Sequence, residues 1–168
     1  MYTGTVRLVL WDIDGTLVDT SGHGRDAFED ALRQVLGRPP TLGDIAMSGR
    51  TDHSIALEIM AMGGVDDPEL HLPSMYEALH AALKERARAI AAEGAPQPGV
   101  REAIAAIDER GGAIQSLLTG NIEPNAHVKL GAHPVVGPVA TDLHVQQLVD
   151  PEGAELHMRV RLDVAGEQ

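Results

Sequence analysis

Residues 7–17 read Arg-Leu-Val-Leu-Trp-Asp-Ile-Asp-Gly-Thr-Leu. The stretch 7–11 is short, apolar and rich in β-formers. It predicts a strand, and its continuous apolarity predicts burial on both faces. Asp14-Gly15-Thr16 follows directly as a turn signal. A second run of the same kind, Ala113 to Leu118, also ends in a polar turn, Thr119-Gly120-Asn121. Ahead of it Val100, Ala103, Ile104 and Ile107 mark a helix that stops at Gly111-Gly112. A helix between two such strands predicts a right-handed βαβ unit and a parallel sheet.

Between the first strand and that unit the pattern is helical over residues 22–93. Phe28, Ala31, Leu32, Val35 and Leu36 recur at helical spacing, and Gly37 with Pro39-Pro40 ends that helix. Asp52 is the expected cap of a second helix carrying Ile55, Ile59 and Met62, closed by Gly63-Gly64. Asp67-Pro68 reads as a helix start. Ser74 is expected to open a long Ala-rich helix with Leu79, Leu83 and Ile90, ending near Gly94. Ala95-Pro96-Gln97-Pro98-Gly99 is a stiff linker. Pro124 starts a last helix through Val128 and Leu130. The block therefore reads as an insertion after the first strand. The expected organisation is a core of residues 1–21 and 95–168 with a helical unit over 22–94.

Residues 131–168 lack helical periodicity. Leu156, Met158, Val160, Leu162 and Val164 alternate with His157, Arg159, Arg161 and Asp163, a strand with one apolar face. Asp150-Pro151-Glu152-Gly153 is a turn before it. The tail reads as an antiparallel hairpin whose edge offers a surface for self-association.

Composition narrows the function. The chain has 168 residues, no Cys, and a net charge of −12 from 25 acidic and 13 basic side chains. A chain of this size can bury ~70% of its unfolded surface. The absence of Cys removes disulfide scaffolds, Cys-ligated zinc and thiol catalysis. The acidic balance argues against nucleic-acid and anionic-membrane partners. No apolar run approaches ~18 residues, and the N-terminus lacks the pattern of a signal peptide, so a soluble cytoplasmic protein is expected. The eight His are scattered without metal-ligand spacing, and none is read as a ligand. The Met residues read as packing.

Asp12 and Asp14 lie two apart at the C-terminal edge of a parallel strand, where open α/β sheets bind ligands. One carboxylate can attack a phosphoryl group while the other moves a proton. Paired carboxylates also attract a divalent cation, and hard oxygen ligands favour Mg²⁺. The plain alternative is an Asp-Gly turn. Thr119, with the N–H groups of the turn after it, can hold a phosphoryl oxygen; the alternative is a helix-capping turn.

Together these elements resemble the haloacid dehalogenase superfamily, in its phosphoglycolate-phosphatase-like branch. Asp12-Ile13-Asp14-Gly15-Thr16-Leu17 resembles its first motif and Leu118-Thr119-Gly120-Asn121 its second. Gly49-Arg50-Thr51-Asp52 resembles a segment of the helical cap, and Pro98-Gly99-Val100 the return to the core. The resemblance runs from about Arg7 to Leu130. It implies an α/β fold, a Rossmann-like parallel sheet core with an inserted α-helical cap. It implies a Mg²⁺-dependent phosphatase acting on a small phosphorylated metabolite. Asp12 would be the nucleophile that forms an aspartyl-phosphate and a metal ligand. Asp14 would be the general acid/base and give its backbone carbonyl to Mg²⁺. Thr119, Gly120 and Asn121 would bind the phosphoryl group. Lys129 is the candidate for the charge-neutralising Lys, against a solvated helix residue. Arg50 is the candidate cap contact to substrate, against a surface salt bridge. An acidic residue at position 14 favours phosphoryl transfer over dehalogenation, because an alkoxide must leave with a proton.

The family's fourth motif, an acidic strand end that completes the Mg²⁺ site, has no counterpart after Asn121. Either the ending is a truncated or frameshifted one, or it is a genuine divergent ending. Asp150, Glu152 and Glu155 are candidate substitute carboxylates, against an exposed acidic turn. The expected consequence is weak Mg²⁺ binding and an impaired phosphatase. The competing functions are an inactive remnant serving as a binding module, and a phosphomutase.

Overall fold

The computed structural model describes residues 7–37 and 45–135. The expected hairpin over 131–168, its edge and the acids Asp150, Glu152 and Glu155 lie outside those residues, apart from the stretch to Val135.

Strand β1 (Arg7–Trp11) pairs in parallel with β4 (Ala113–Leu117), in a register that runs from Arg7 opposite Ala113 to Trp11 opposite Leu117. One further bond, Leu118 N to Trp11 O at 2.8 Å, carries the ladder into the turn after β4. The two polar turns are thereby placed side by side. Helix α5 (Val100–Arg110) joins β3 (Ala95–Pro96) to β4, and α6 (Glu123–Ala132) follows the second turn. Burial on both faces of β1 is not reached among the described residues. Leu8 is exposed and Val9 to Trp11 are half-buried, because only one strand, β4, pairs with β1 there.

Two apolar cores form. One is built from Ile13, Leu17, Val18, Val100, Ile104, Leu117, Ala126, Leu130 and Val135 around the sheet. The other draws on α1 (His23–Leu36), α2 (Asp52–Met62), α3 (Pro68–Glu85) and α4 (Ala87–Glu93), with Leu32, Met60, Met75, Leu79 and Ile90 fully enclosed. Val128 and Ala132 of α6 pack against this second core. Aliphatic and Met side chains make up most of both, with Phe28 in the helical core and Trp11 packed against the other.

Several local readings need correction. Helix α2 is capped by Thr51, whose Oγ1 accepts from Ser54 N at 3.0 Å. Asp52 is the first helical residue, and its carboxylate turns away to a distant partner. The third helix starts at Pro68, not at Ser74, and Pro73 is accommodated inside it. Pro73 removes the bond to the carbonyl four residues back and its ring crowds that carbonyl, a cost offset by Met75, Leu79 and Leu83, which anchor the same helix in the core. Asp67 precedes it in a left-handed conformation without a side-chain cap bond. The long helix to Gly94 is two helices, interrupted at Arg86. Arg86 reaches across to Asp26 and Asp30 of α1 and holds the Asp30 carboxyl below its ordinary range.

The two segments that connect the cores pair with each other. Val18–Asp19 (β2) runs antiparallel to Ala95–Pro96, and Gln97 N donates to Leu17 O at 3.0 Å. His23 Nε2 lies 3.1 Å from Glu93 Oε2 just beyond. Gly94 is forced by close approach, since a Cβ there would stand 2.5 Å from Asp19 O and 2.7 Å from Ile90 O. Among the described residues no helix is long and apolar enough to cross a membrane.

Candidate active site

The turn after β1 is wound tightly. Leu17 N and Val18 N both donate to Ile13 O, at 2.9 and 3.0 Å, and Gly15 N donates to Val18 O at 2.9 Å. Gly15 takes φ of 75°, a left-handed conformation that glycine adopts without steric cost. Ile13 and Leu17 point into the core. Asp12 and Asp14, on the alternate positions, are left facing the opening above the sheet edge.

The Asp12 carboxylate is half-buried and accepts from Ile13 N at 2.8 Å. Burial pushes its pKa above the ordinary value, and the neighbouring Asp14 charge adds to that. The Ile13 N–H, Thr119 and Lys129 pull the other way. Asp14 is bonded to a cation and an amide. Lys129 Nζ is 2.7 Å from each of its oxygens, and Asn121 Nδ2 donates to Oδ2 at 2.7 Å. The same ammonium donates to Asn121 Oδ1 at 2.5 Å. Lys129 is therefore not a solvated helix residue; it is 7% exposed.

The second turn is held from within and from behind. Thr119 Oγ1 accepts from Asn121 N at 3.3 Å and from Asn121 Nδ2 at 2.7 Å. From behind, Asp52 N donates to Gly120 O at 2.7 Å, and Asp52 Oδ2 accepts from Ile122 N at 2.9 Å. Asn125 Nδ2 donates to the same oxygen at 3.2 Å. A Cβ on Gly120 would stand 2.5 Å from Arg50 O, so only glycine lets the 50–52 segment lie against the turn.

Asp12, Asp14, Thr119, Gly120, Asn121, Lys129 and Arg50 all border one cavity of about 610 Å³. Its far wall is supplied by Arg25, Phe28, Met47 and Ile55 from the helical unit. Arg50 is at the wall, but its guanidinium is engaged by the Glu58 carboxylate and by Ser54 O at 3.2 Å. Of the two sequence readings for Arg50, the salt bridge is the one formed. The sequence marks neither Asp52 nor Asn125 as a site residue. The only signal for Asp52 was its place in the Gly-Arg-Thr-Asp segment, and its reach to the second turn depends on how the two units meet.

An apolar parallel pair of strands thus ends in two polar turns that line one cleft beside the helical unit, the strand-edge position at which open α/β folds bind ligands. A family model for haloacid dehalogenase-like hydrolases matches residues 9–160, and the chain belongs to that family. Among solved structures, a hydrolase from Pseudomonas syringae is similar at 18% identity and a TM-score of 0.56, over 76% of this chain and 55% of its own. A putative beta-phosphoglucomutase from Thermotoga maritima matches at 19% identity and a TM-score of 0.44, over 77% of this chain and 56% of its own. At such identities the first likeness shows the fold alone. The chain spans little more than half the length of these structures. No curated protein matches it.

Proposed function

We propose that the chain is a phosphatase for a small phosphomonoester, with Asp12 as nucleophile, and that residues 22–94 are its cap over a core of 1–21 and 95–168. The observation that carries this reading is the convergence of Asp12, Asp14, Thr119, Asn121 and Lys129 on one cleft from three separate stretches of chain. Their division of labour follows from their surroundings. Among the described residues the Asp12 carboxylate accepts from the Ile13 N–H and is in no ion pair, and in this reading its oxygen attacks phosphorus as the P–O ester bond breaks. The departing alkoxide needs a proton, and Asp14 is the neighbouring acid. To donate it, Asp14 has to free one of its oxygens while the other stays bonded to Lys129, which keeps the carboxyl in place. A water then attacks the aspartyl-phosphate at phosphorus, Asp14 takes the water's proton, and inorganic phosphate leaves with Asp12 restored. Thr119 and the turn's N–H groups orient the transferring group.

Mg²⁺ fits this donor set at the minimum the ion accepts, one or two carboxylates completed by phosphate oxygens and water. Asp12 would supply its carboxylate and Asp14 its backbone oxygen. When bound, the ion offsets the like charge between Asp12 and the phosphate. Among the described residues no group of three His, Cys, Asp or Glu side chains stands together. On that donor set the reading includes weak Mg²⁺ affinity and slow turnover. Hydrolysis of p-nitrophenyl phosphate, with and without Mg²⁺ and with Asp12→Asn as control, tests it. Release of p-nitrophenol that is Mg²⁺-dependent and lost in Asp12→Asn is expected; none from a folded protein at millimolar Mg²⁺ would overturn the proposal.

A further inference from the structure

We propose that Asp52 is a positioning residue that clamps the first turn of α2 onto the Gly120–Ile122 backbone, so that the phosphoryl-binding turn keeps its geometry only while the helical unit is seated on the core. The proposal rests on the role just assigned to that turn. Three bonds made by Asp52 all go to one short segment. Its N–H donates to Gly120 O at 2.7 Å, and its Oδ2 accepts from Ile122 N at 2.9 Å and Asn125 Nδ2 at 3.2 Å. Thr119 and Asn121 are interleaved with these anchored positions.

The arrangement replaces a local device. Ile122 is the N-cap of α6 and brings no capping side chain. In a capping box the residue three positions on returns a carboxylate or amide to the N-cap N–H. Here that residue is Asn125, which donates to Asp52 instead and is itself steadied by His80 Nδ1 at 3.3 Å from its Oδ1. The acceptor for the Ile122 N–H thus comes from 70 residues away. Separation of the two units would leave the Ile122 N–H and the Gly120 carbonyl without these partners, and the turn would lose its rear support. Asp52 is 6% exposed. Burying a carboxylate is unfavourable unless it is bonded, and a residue that merely filled this space would have no need of two acceptor bonds.

Geometry and charge are separable at this position. Asp52→Asn keeps an acceptor oxygen at the same reach and removes the charge. Asp52→Glu keeps the charge and displaces the carboxylate by one methylene. Inorganic phosphate in the presence of Mg²⁺ serves as the probe, with affinity read by titration calorimetry and amide exchange at Asn121 and Ile122 read by NMR on the full chain. The expected result is phosphate affinity within threefold of wild type for Asp52→Asn and at least tenfold weaker for Asp52→Glu, with exchange at Asn121 and Ile122 at least tenfold faster in the latter. A role confined to stability would lower the melting temperature while leaving the phosphate affinity of the folded fraction unchanged, and that result overturns the proposal. So does loss in Asp52→Asn with retention in Asp52→Glu, which would assign the effect to charge. Should wild type bind no phosphate, the phosphatase reading falls, and the clamp is decided by exchange alone. Faster exchange in Asp52→Glu sustains it, and unchanged exchange overturns it.

Discussion

Lys129 Nζ sits 2.7 Å from both carboxylate oxygens of Asp14, a residue 115 positions earlier in the chain. The ammonium is buried while the Asp14 side chain remains about half exposed, so the pair fixes the carboxylate at the cleft rather than removing it from solvent. Asn121 completes the arrangement by donating to Asp14 and accepting from Lys129. Its effect is to hold the proposed acid/base against the turn that would bind the phosphoryl group.

Lys129→Met is expected to lower kcat by roughly ten- to a hundredfold, because a general acid/base contributes about 10²–10⁴-fold and here loses its orientation but not its chemistry. Steady-state kinetics on p-nitrophenyl phosphate check this. An unchanged kcat would remove Lys129 from the machinery.

Asp12→Asn should abolish turnover, and Asp14→Asn should reduce it by about 10²–10⁴-fold, the range for loss of general acid/base catalysis. The two differ because a missing nucleophile blocks the first covalent step, whereas water can replace a proton donor at a slower rate. Trapping of a phosphorylated Asp14→Asn protein by acid quench would locate the covalent bond. Wild-type turnover in Asp12→Asn would refute the assignment.

The Asp12 environment also sets a stability signature. Its folded-state pKa lies above the ordinary 3.8, chiefly through burial. The fold therefore favours the protonated form. That stabilisation is fully present below pH 3.8 and is lost as pH rises through the folded value. Without metal, Asp12→Asn should melt above wild type at pH 7, with the gap closing in acid. Millimolar Mg²⁺ should narrow the gap, since a ligand held only by the folded wild type stabilises it by mass action. Melting curves in EDTA and in millimolar MgCl₂, at pH 4 and 7, provide the comparison.

Gly94→Ala should destabilise the protein by about 1–3 kcal/mol, the usual cost of forcing an extra methyl into a packed position. Gly94 is in an extended conformation open to any residue, so the effect is steric. The new Cβ would meet the Asp19 and Ile90 carbonyls, which are backbone and cannot rotate aside. Chemical denaturation of the variant measures it, and an unchanged midpoint would mean that the junction opens without cost.

The sequence by itself determined the elements whose cause is local. Arg7–Trp11 and Ala113–Leu117 form strands because apolar β-formers run up to a turn signal, and the helix between them makes the pairing parallel. Asp12, Asp14, Thr119 and Asn121 reach the cleft because they sit at the ends of those strands, which a parallel sheet brings to one edge. Other features were settled only by how distant segments compete for the same atoms. Asp52 is an adequate N-cap residue in isolation, but Thr51 takes the cap and frees the Asp52 carboxylate for Ile122, 70 residues on. Ser74 has the chemistry of a helix start, yet the core holds the helix from Pro68 through Pro73. Lys129 and Arg50 are both cations at the cleft, and which carboxylate each one meets, Asp14 or Glu58, is decided only by the packing of distant segments. Periodicity and turn chemistry act over a few residues and are legible in the chain. The partner of a buried charge is chosen by desolvation and hydrogen-bond geometry after the units have packed, and that choice exists only in three dimensions.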